Sequence, residues 1–327
     1  MQYQTASISY TSALQLSSNA IDVLQVVLYF DIFDYPLTKD EIFNRSTLKN
    51  STEVSNGLHQ LTSVNILYCI EGFYSLYNEN RQIHKRISGN RSAQQHLKKA
   101  CRMSSFIKRF PFVRAVMLSG SISKNYMDKS SDIDYFIITA TNRLWVCRLF
   151  FVLFQKLVLF NRYKYFCYNY MIDENHLAIT DKSFYTAIET TTVVPVYNYN
   201  LYQHFRESNL WTQAFFPNFP LAEKSLLSNK QSFIQKAGEV LFNNAMGDAF
   251  DKWLMKKTEI KWRKQHLTEM FGIKNLQLKR YAAKAHTEGH YNRIMSQFDE
   301  KQRAYEKKYN IIFKQPKNLL TSLKPNA

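Results

Sequence analysis

"VMLSGSISKNYMDKSSDIDYFIIT", Val116 to Thr139, is the stretch on which the fold turns. An apolar run ends at Gly120-Ser121, "SISKNYM" has the length of one or two helical turns, "DKSS" reads as a loop, and "DIDYFIIT" resumes as a strand. Side chains alternate along a strand, so Asp132 and Asp134 are expected on one face and Ile133 and Tyr135 on the other. Two carboxylates side by side repel unless a cation lies between them. Magnesium, a hard ion that takes oxygen ligands and favours phosphate, suits that place. Gly120 lets the backbone approach a phosphate closely, and Ser121 offers a hydroxyl where the short helix opens. A nucleoside triphosphate with its metal fits each part.

The rest of the chain bounds the setting. Its 327 residues suggest two or three domains. Hydrophobic residues at 45% and aromatics at 15% exclude a disordered chain. Four scattered cysteines, Cys69, Cys101, Cys147 and Cys167, show no CxxC spacing, which suggests a reduced and metal-free set. The opening "MQYQTASISYTSALQLSS" lacks the pattern of a secretory signal, so a cytoplasmic protein is expected. "LWVCRLFFVLFQKLVLF", Leu144 to Phe160, is strongly apolar. It carries Arg148, Gln155 and Lys156 and falls short of the roughly 20 residues a spanning helix needs, so it reads as a buried helix and no membrane partner is expected.

The net charge of +17 is uneven: Lys252 to Lys317 holds 17 Lys/Arg against 6 Asp/Glu. Such a surplus would attract RNA or another anionic acceptor, unless it is a solvated helical face.

Upstream, "IDVLQVVLYFDIF" has helical apolar spacing. In "YPLTKDEIFNR" Pro36 breaks the chain, and Thr38 with Glu41 has capping-box spacing. "STEVSNGLHQLTSVN" reads as a third helix with Val54, Leu58 and Leu61 on one face, and Glu71-Gly72 as a tight turn between two short strands. Three helices and a two-stranded wing make a winged-helix-like module. Its third helix has no Lys or Arg to meet phosphates, which favours packing or protein contact over DNA reading.

With Gly-Ser, a short helix and Asp-Ile-Asp in this order, Val113 to Ile179 resembles the nucleotidyltransferases of the DNA polymerase β type. Gly120, Ser121, Asp132 and Asp134 stand at the four signature positions, and Asn125 replaces a glycine often found after the short helix. The resemblance implies transfer of a nucleoside monophosphate from an NTP, ATP first among them, to an acceptor hydroxyl with release of pyrophosphate. It further implies that Asp132 and Asp134 hold magnesium and that Gly120 and Ser121 hold the nucleotide, with Lys124 either adding charge to the phosphates or lying on the surface as an ordinary lysine. Many members carry a third acid on a following strand. In "KYFCYNYMIDENHLAI" the residues Cys167, Asn169, Met171 and Asp173 share a strand face. Asp173 is the candidate third acid or base, with Asn169 and Glu174 as alternatives.

Further on, a helix should end before Pro195, and the aromatic stretch up to Pro217 and Pro220 reads mainly as core. His286 and His290 share a helical face without the neighbours a metal pair needs. The expected class is therefore α+β: a winged-helix-like module over 1–80, a basic helical connector over 81–110, a small mixed-sheet nucleotidyltransferase core over 111–220, and a basic helical region over 221–327. A weakened nucleotidyltransferase domain serving as a nucleotide-sensing or nucleic-acid-binding regulator is the alternative function. The sequence sets neither the acceptor nor the oligomeric state.

Overall fold

The computed structural model describes residues 15–160, 163–227, 232–268, 277–284 and 288–314. Helix α1 (Ser18–Asp31) is capped by Ser17, whose hydroxyl accepts from the Ala20 N–H at 3.2 Å. Every residue from Asp22 to Phe30 is buried, as expected of a helix that is apolar all round and serves as core. Strand β1 (Leu37–Thr38) leads into α2 (Lys39–Asn44), where Thr38 and Glu41 form the reciprocal capping box. Helix α3 (Ser51–Ser63) is capped by Asn50, whose amide oxygen accepts from the Glu53 N–H at 2.9 Å. Strands β2 (Tyr68–Ile70) and β3 (Phe73–Ser75) flank Glu71 and Gly72, whose φ values of 51° and 78° suit the expected tight hairpin turn. With β1 they form a sheet in the order β1-β3-β2.

The basic connector is one 28-residue helix, α4 (Asn80–Ile107). It is more than a link: Ile83 and Arg86 are buried near its start, and Ala93, Ala100 and Ile107 are buried farther along in a second core. Next come β4 (Val113–Ser119), the single turn α5 (Gly120–Ser123), β5 (Asp134–Thr139), α6 (Leu144–Leu157), β6 (Cys167–Asp173), α7 (Phe184–Thr191), β7 (Val194–Tyr197) and α8 (Tyr199–Glu207). The remainder holds α9 (Phe233–Phe242), α10 (Ala245–Thr268), β8 (Gln277–Lys279), β9 (Ala282–Lys284) and α11 (Glu288–Tyr309).

The described residues build a mixed sheet in the order β7-β4-β5-β6-β9-β8, with β5 and β6 parallel and the other pairs antiparallel. Period-two alternation divides it between two cores. Ala115, Met117, Phe136 and Ile138 pack into the core that includes α1, α3, α7 and α8, whereas Val116, Leu118, Tyr135 and Ile137 pack into the one that includes α4 and α6. Asp134 precedes Phe136 and Ile138 by even steps, so it faces the α1 side.

Two expectations are corrected. Asp132 lies outside the strand, exposed in the preceding loop, because the β4–β5 ladder begins at Ser119↔Asp134. The C-terminal region is not wholly helical: the β8–β9 hairpin adds to the sheet through β6, in strands of three residues that are too short to show an alternation.

Helix α6 buries Trp145, Cys147 and Phe151, while Leu153 and Leu157 on its other side are exposed. No helix among the described residues is long and apolar enough to cross a membrane. The start of α6 is held by Asp251 of α10, which accepts from the Trp145 and Val146 N–H groups at 2.9 Å each. Burial pushes the Asp251 carboxyl up to about 6, while the two N–H bonds act against that rise. Asp251→Ala strips both donors of their partner and should cost about 1 to 3 kcal/mol in urea unfolding. An unchanged midpoint would show that the cap is not structural.

Candidate functional site

Gly120 has a φ of 64°, in the left-handed region open to glycine. A Cβ there would also collide with the Asp134 carboxylate, so the turn and the acid interlock. Two residues past the single turn α5, Asn125 has a φ of 56°, the left-handed region that asparagine tolerates. The "DKSS" loop is braced by Asp128, which accepts from the Ser130 N–H at 2.9 Å and the Ser131 hydroxyl at 2.9 Å.

Beside this turn lies a cavity of about 380 Å³. Gly120, Ser121, Lys124, Asp134 and Asn169 reach it from the sheet end, Tyr29, Phe30, Phe33 and Tyr35 from α1 and the turn after it, Tyr185 and Glu189 from α7, and Lys284 and His290 from the C-terminal elements. More of its wall surface is apolar than polar, much of it from aromatic rings, as in small-molecule sites where polar groups fix orientation.

Burial pushes the Asp134 carboxyl up to about 6; the Cys167 thiol acts against the rise, and the charges of Glu189 and Asp132 add to it. Of the two acids only Asp134 lines the cavity. The Asn169 amide donates to Asp134. Of the candidates Asp173, Asn169 and Glu174, it is the one beside Asp134.

Asp173 is elsewhere. The β5–β6 register pairs Asp134 with Cys167 and Thr139 with Asp173. Five strand residues, about 17 Å at the usual rise, therefore separate Asp173 from the site. It is buried and serves the following turn, lying 2.6 Å from the His176 Nδ1 and accepting from the Asn175 N–H at 3.1 Å. Glu174 is at that far end too, 3.8 Å from Arg114.

Lys124 does face the cavity. Its ammonium lies 2.9 Å from Glu189 and donates to the Gly120 carbonyl at 3.1 Å. Glu189 was not legible as a site residue, since it stands alone in "FYTAIETT" and only the packing of α7 against the sheet brings it here. The aromatic wall was equally hidden, because the α1 stripe reads as ordinary core. In contrast, the later aromatics Trp211, Phe215 and Phe216 are buried core residues. His286 lies outside the described residues, and His290 contacts Arg293 at 3.2 Å.

Of the candidate ligands for a hard cation, which takes one or two protein carboxylates and fills its shell with phosphate oxygens and water, Ser121 and Asp134 line the cavity and Asp132 lies in the exposed loop beside it. A second ion sharing a third carboxylate is not matched: Asn169 is an amide, and among the described residues no three of His, Cys, Asp and Glu converge as a metal-ligating group.

The N-terminal helices are fastened to this turn. The Tyr35 hydroxyl donates to the Lys124 carbonyl at 2.5 Å, and the Arg86 guanidinium lies 3.7 Å from the Tyr35 ring centre while pairing with Glu41 at 2.6 Å. In comparisons with known proteins, no family model, no curated protein and no solved structure matches this chain.

Proposed function

We propose that the chain is a nucleotidyltransferase that binds an NTP with one divalent ion at the Gly120-Ser121 turn and moves its nucleoside monophosphate to an acceptor hydroxyl. The observation that carries this is the interlock of Gly120 with Asp134, in which a left-handed glycine and a carboxylate share space that no larger residue could enter. Asp132 and Asp134 would hold the ion, whose charge would offset that of the phosphate oxygens. Triphosphate arriving at the turn competes with Glu189 for Lys124. The released Glu189 carboxylate takes the proton of the acceptor hydroxyl, the acceptor oxygen bonds to the α-phosphorus, and the bond to the bridging oxygen breaks to release pyrophosphate.

The three helices and small sheet before α4 support a winged-helix-like reading of that module. Its α3 carries no Lys or Arg and buries Val54, Leu58 and Leu61, while α1 supplies cavity wall, so its role in this reading is to shape the site rather than to read DNA. The cations Lys256, Lys257, Lys261, Arg263 and Lys264 are exposed on α10, and none of them lines the cavity.

A second reading, nucleotide binding without efficient transfer, is favoured by Asn169 in the third acidic place. Asn169→Asp separates the two. Adding the missing carboxylate should tighten manganese binding in the nucleotide complex, read by electron paramagnetic resonance, by roughly tenfold, and should raise the labelling of acceptors in a cell extract supplied with labelled NTP. Tighter metal without any labelling would favour the sensing protein. No change in either would remove Asn169 from the site.

A further inference from the structure

Lys284 stands apart among the cations of the cavity. Lys85 is paired with Asp34 at 2.8 Å and Lys124 with Glu189 at 2.9 Å. No described carboxylate lies within ion-pair reach of Lys284, whose ammonium sits 5.6 Å from the Tyr170 ring centre. Burial pushes its pKa down, and the charges of Asp181 and Glu189, acting from longer range, oppose that.

Its place in the sheet gives it a direction. Phe136 pairs with Tyr170 and Tyr170 with Lys284, so the three share the sheet face on which Asp134 stands two residues before Phe136. Two strand spacings, about 10 Å, separate β9 from β5. Tyr29, Phe30, Phe33 and Tyr185 also line the cavity into which Asp134 and Lys284 both reach. The ion-holding carboxylate of the proposed site at one end, a cation without a described ion-pair partner about 10 Å across the sheet and an aromatic wall describe the shape of a ligand.

We infer that the acceptor is a small molecule with a flat apolar body and an anionic group, carboxylate or phosphate, that sits on Lys284 and directs its hydroxyl toward Asp134. This rests on the nucleotidyl-transfer reading and adds the acceptor class to it. The anion replaces water at an ammonium already partly stripped of solvent, and the ring covers the aromatic wall.

The probes are 4-hydroxyphenylacetate and its neutral counterpart 4-hydroxyphenethyl alcohol, titrated by saturation-transfer NMR into the full chain with magnesium and ATP present. The wild type should bind the acid roughly tenfold more tightly than the alcohol, the usual scale of a charge-assisted contact. Lys284→Met should erase that preference, and Lys284→Arg should keep most of it. Calorimetry of magnesium-ATP on the same proteins tells the two claims apart. Acid preference in a wild type that binds no magnesium-ATP would overturn the transfer reading and leave Lys284 as an anion subsite. Equal binding of the two probes, a preference that survives Lys284→Met, no binding of either probe, or loss of magnesium-ATP binding along with the acid would each overturn the acceptor assignment.

Discussion

Asp134→Asn is expected to make the ligand-free protein more stable at neutral pH while removing its capacity for nucleotide. Burial raises the Asp134 carboxyl from 3.8 to about 6 in the folded chain. The unfolded chain therefore releases this proton first, and the ionised group costs the fold progressively more as pH rises between about 4 and about 6, after which the cost is constant. Asparagine keeps the size and can still accept from Asn169, but it carries no charge to desolvate. The gain should be on the order of 2 kcal/mol at pH 7.5 and near zero at pH 4, read as the difference between the two urea midpoints at each pH. A gap that stays constant with pH, or a variant less stable at pH 7.5, would show that burial does not set the Asp134 ionisation. Such a group is kept charged at a cost to stability, as expected where a cationic ligand is to be met.

Arg86 is the other position of large effect. Its side chain is buried, pairs with Glu41 at 2.6 Å, donates to Asn90 at 2.7 Å and to the Pro36 carbonyl at 3.3 Å, and stacks on Tyr35. Arg86→Met leaves Glu41 and the Pro36 carbonyl without this donor and should lower stability by roughly 3 kcal/mol. The consequence should extend past stability, since Tyr35 bonds the Lys124 carbonyl at the end of the site turn. Tyr35→Phe isolates that link. It removes one hydroxyl contact, so folding should weaken by about 1 kcal/mol, while amide exchange should quicken at Lys124 and Asn125 but not in β6. Exchange at the turn that matches the wild type in both variants would mean that the N-terminal helices only adjoin the site.

The local signals in the sequence were good guides. Thr38 with Glu41 gave a capping box, Glu71-Gly72 a hairpin turn, and Gly120-Ser121 a turn entering a short helix, because each depends on residues within a few positions of one another. What failed depended on pairing across the chain. Cys167, Asn169, Met171 and Asp173 share one nominal strand face, and choosing among them requires the β5–β6 register, which shifts between Asp134 and Phe136. That shift puts Asn169 against Asp134 and leaves Asp173 at the other end. Glu189 and Lys284 reach the cavity from α7 and β9, elements that only the tertiary fold brings beside the Gly-Ser turn. The α1 aromatics carried no signal of their own, since a helix buried all round has the same pattern whether it backs a core or walls a cavity.

Calorimetry of ATP, GTP, CTP and UTP, each with and without magnesium, on the wild type and on the Asp132→Asn plus Asp134→Asn double variant, bears most directly on the proposed site. At least one nucleotide should bind the wild type only with magnesium, and the double variant should bind it about a hundredfold or more weakly, the scale of about 3 kcal/mol for stripping the partner from a buried charge. Magnesium-dependent binding that persists undiminished in the double variant, or a wild type that binds none of the four, would contradict the account.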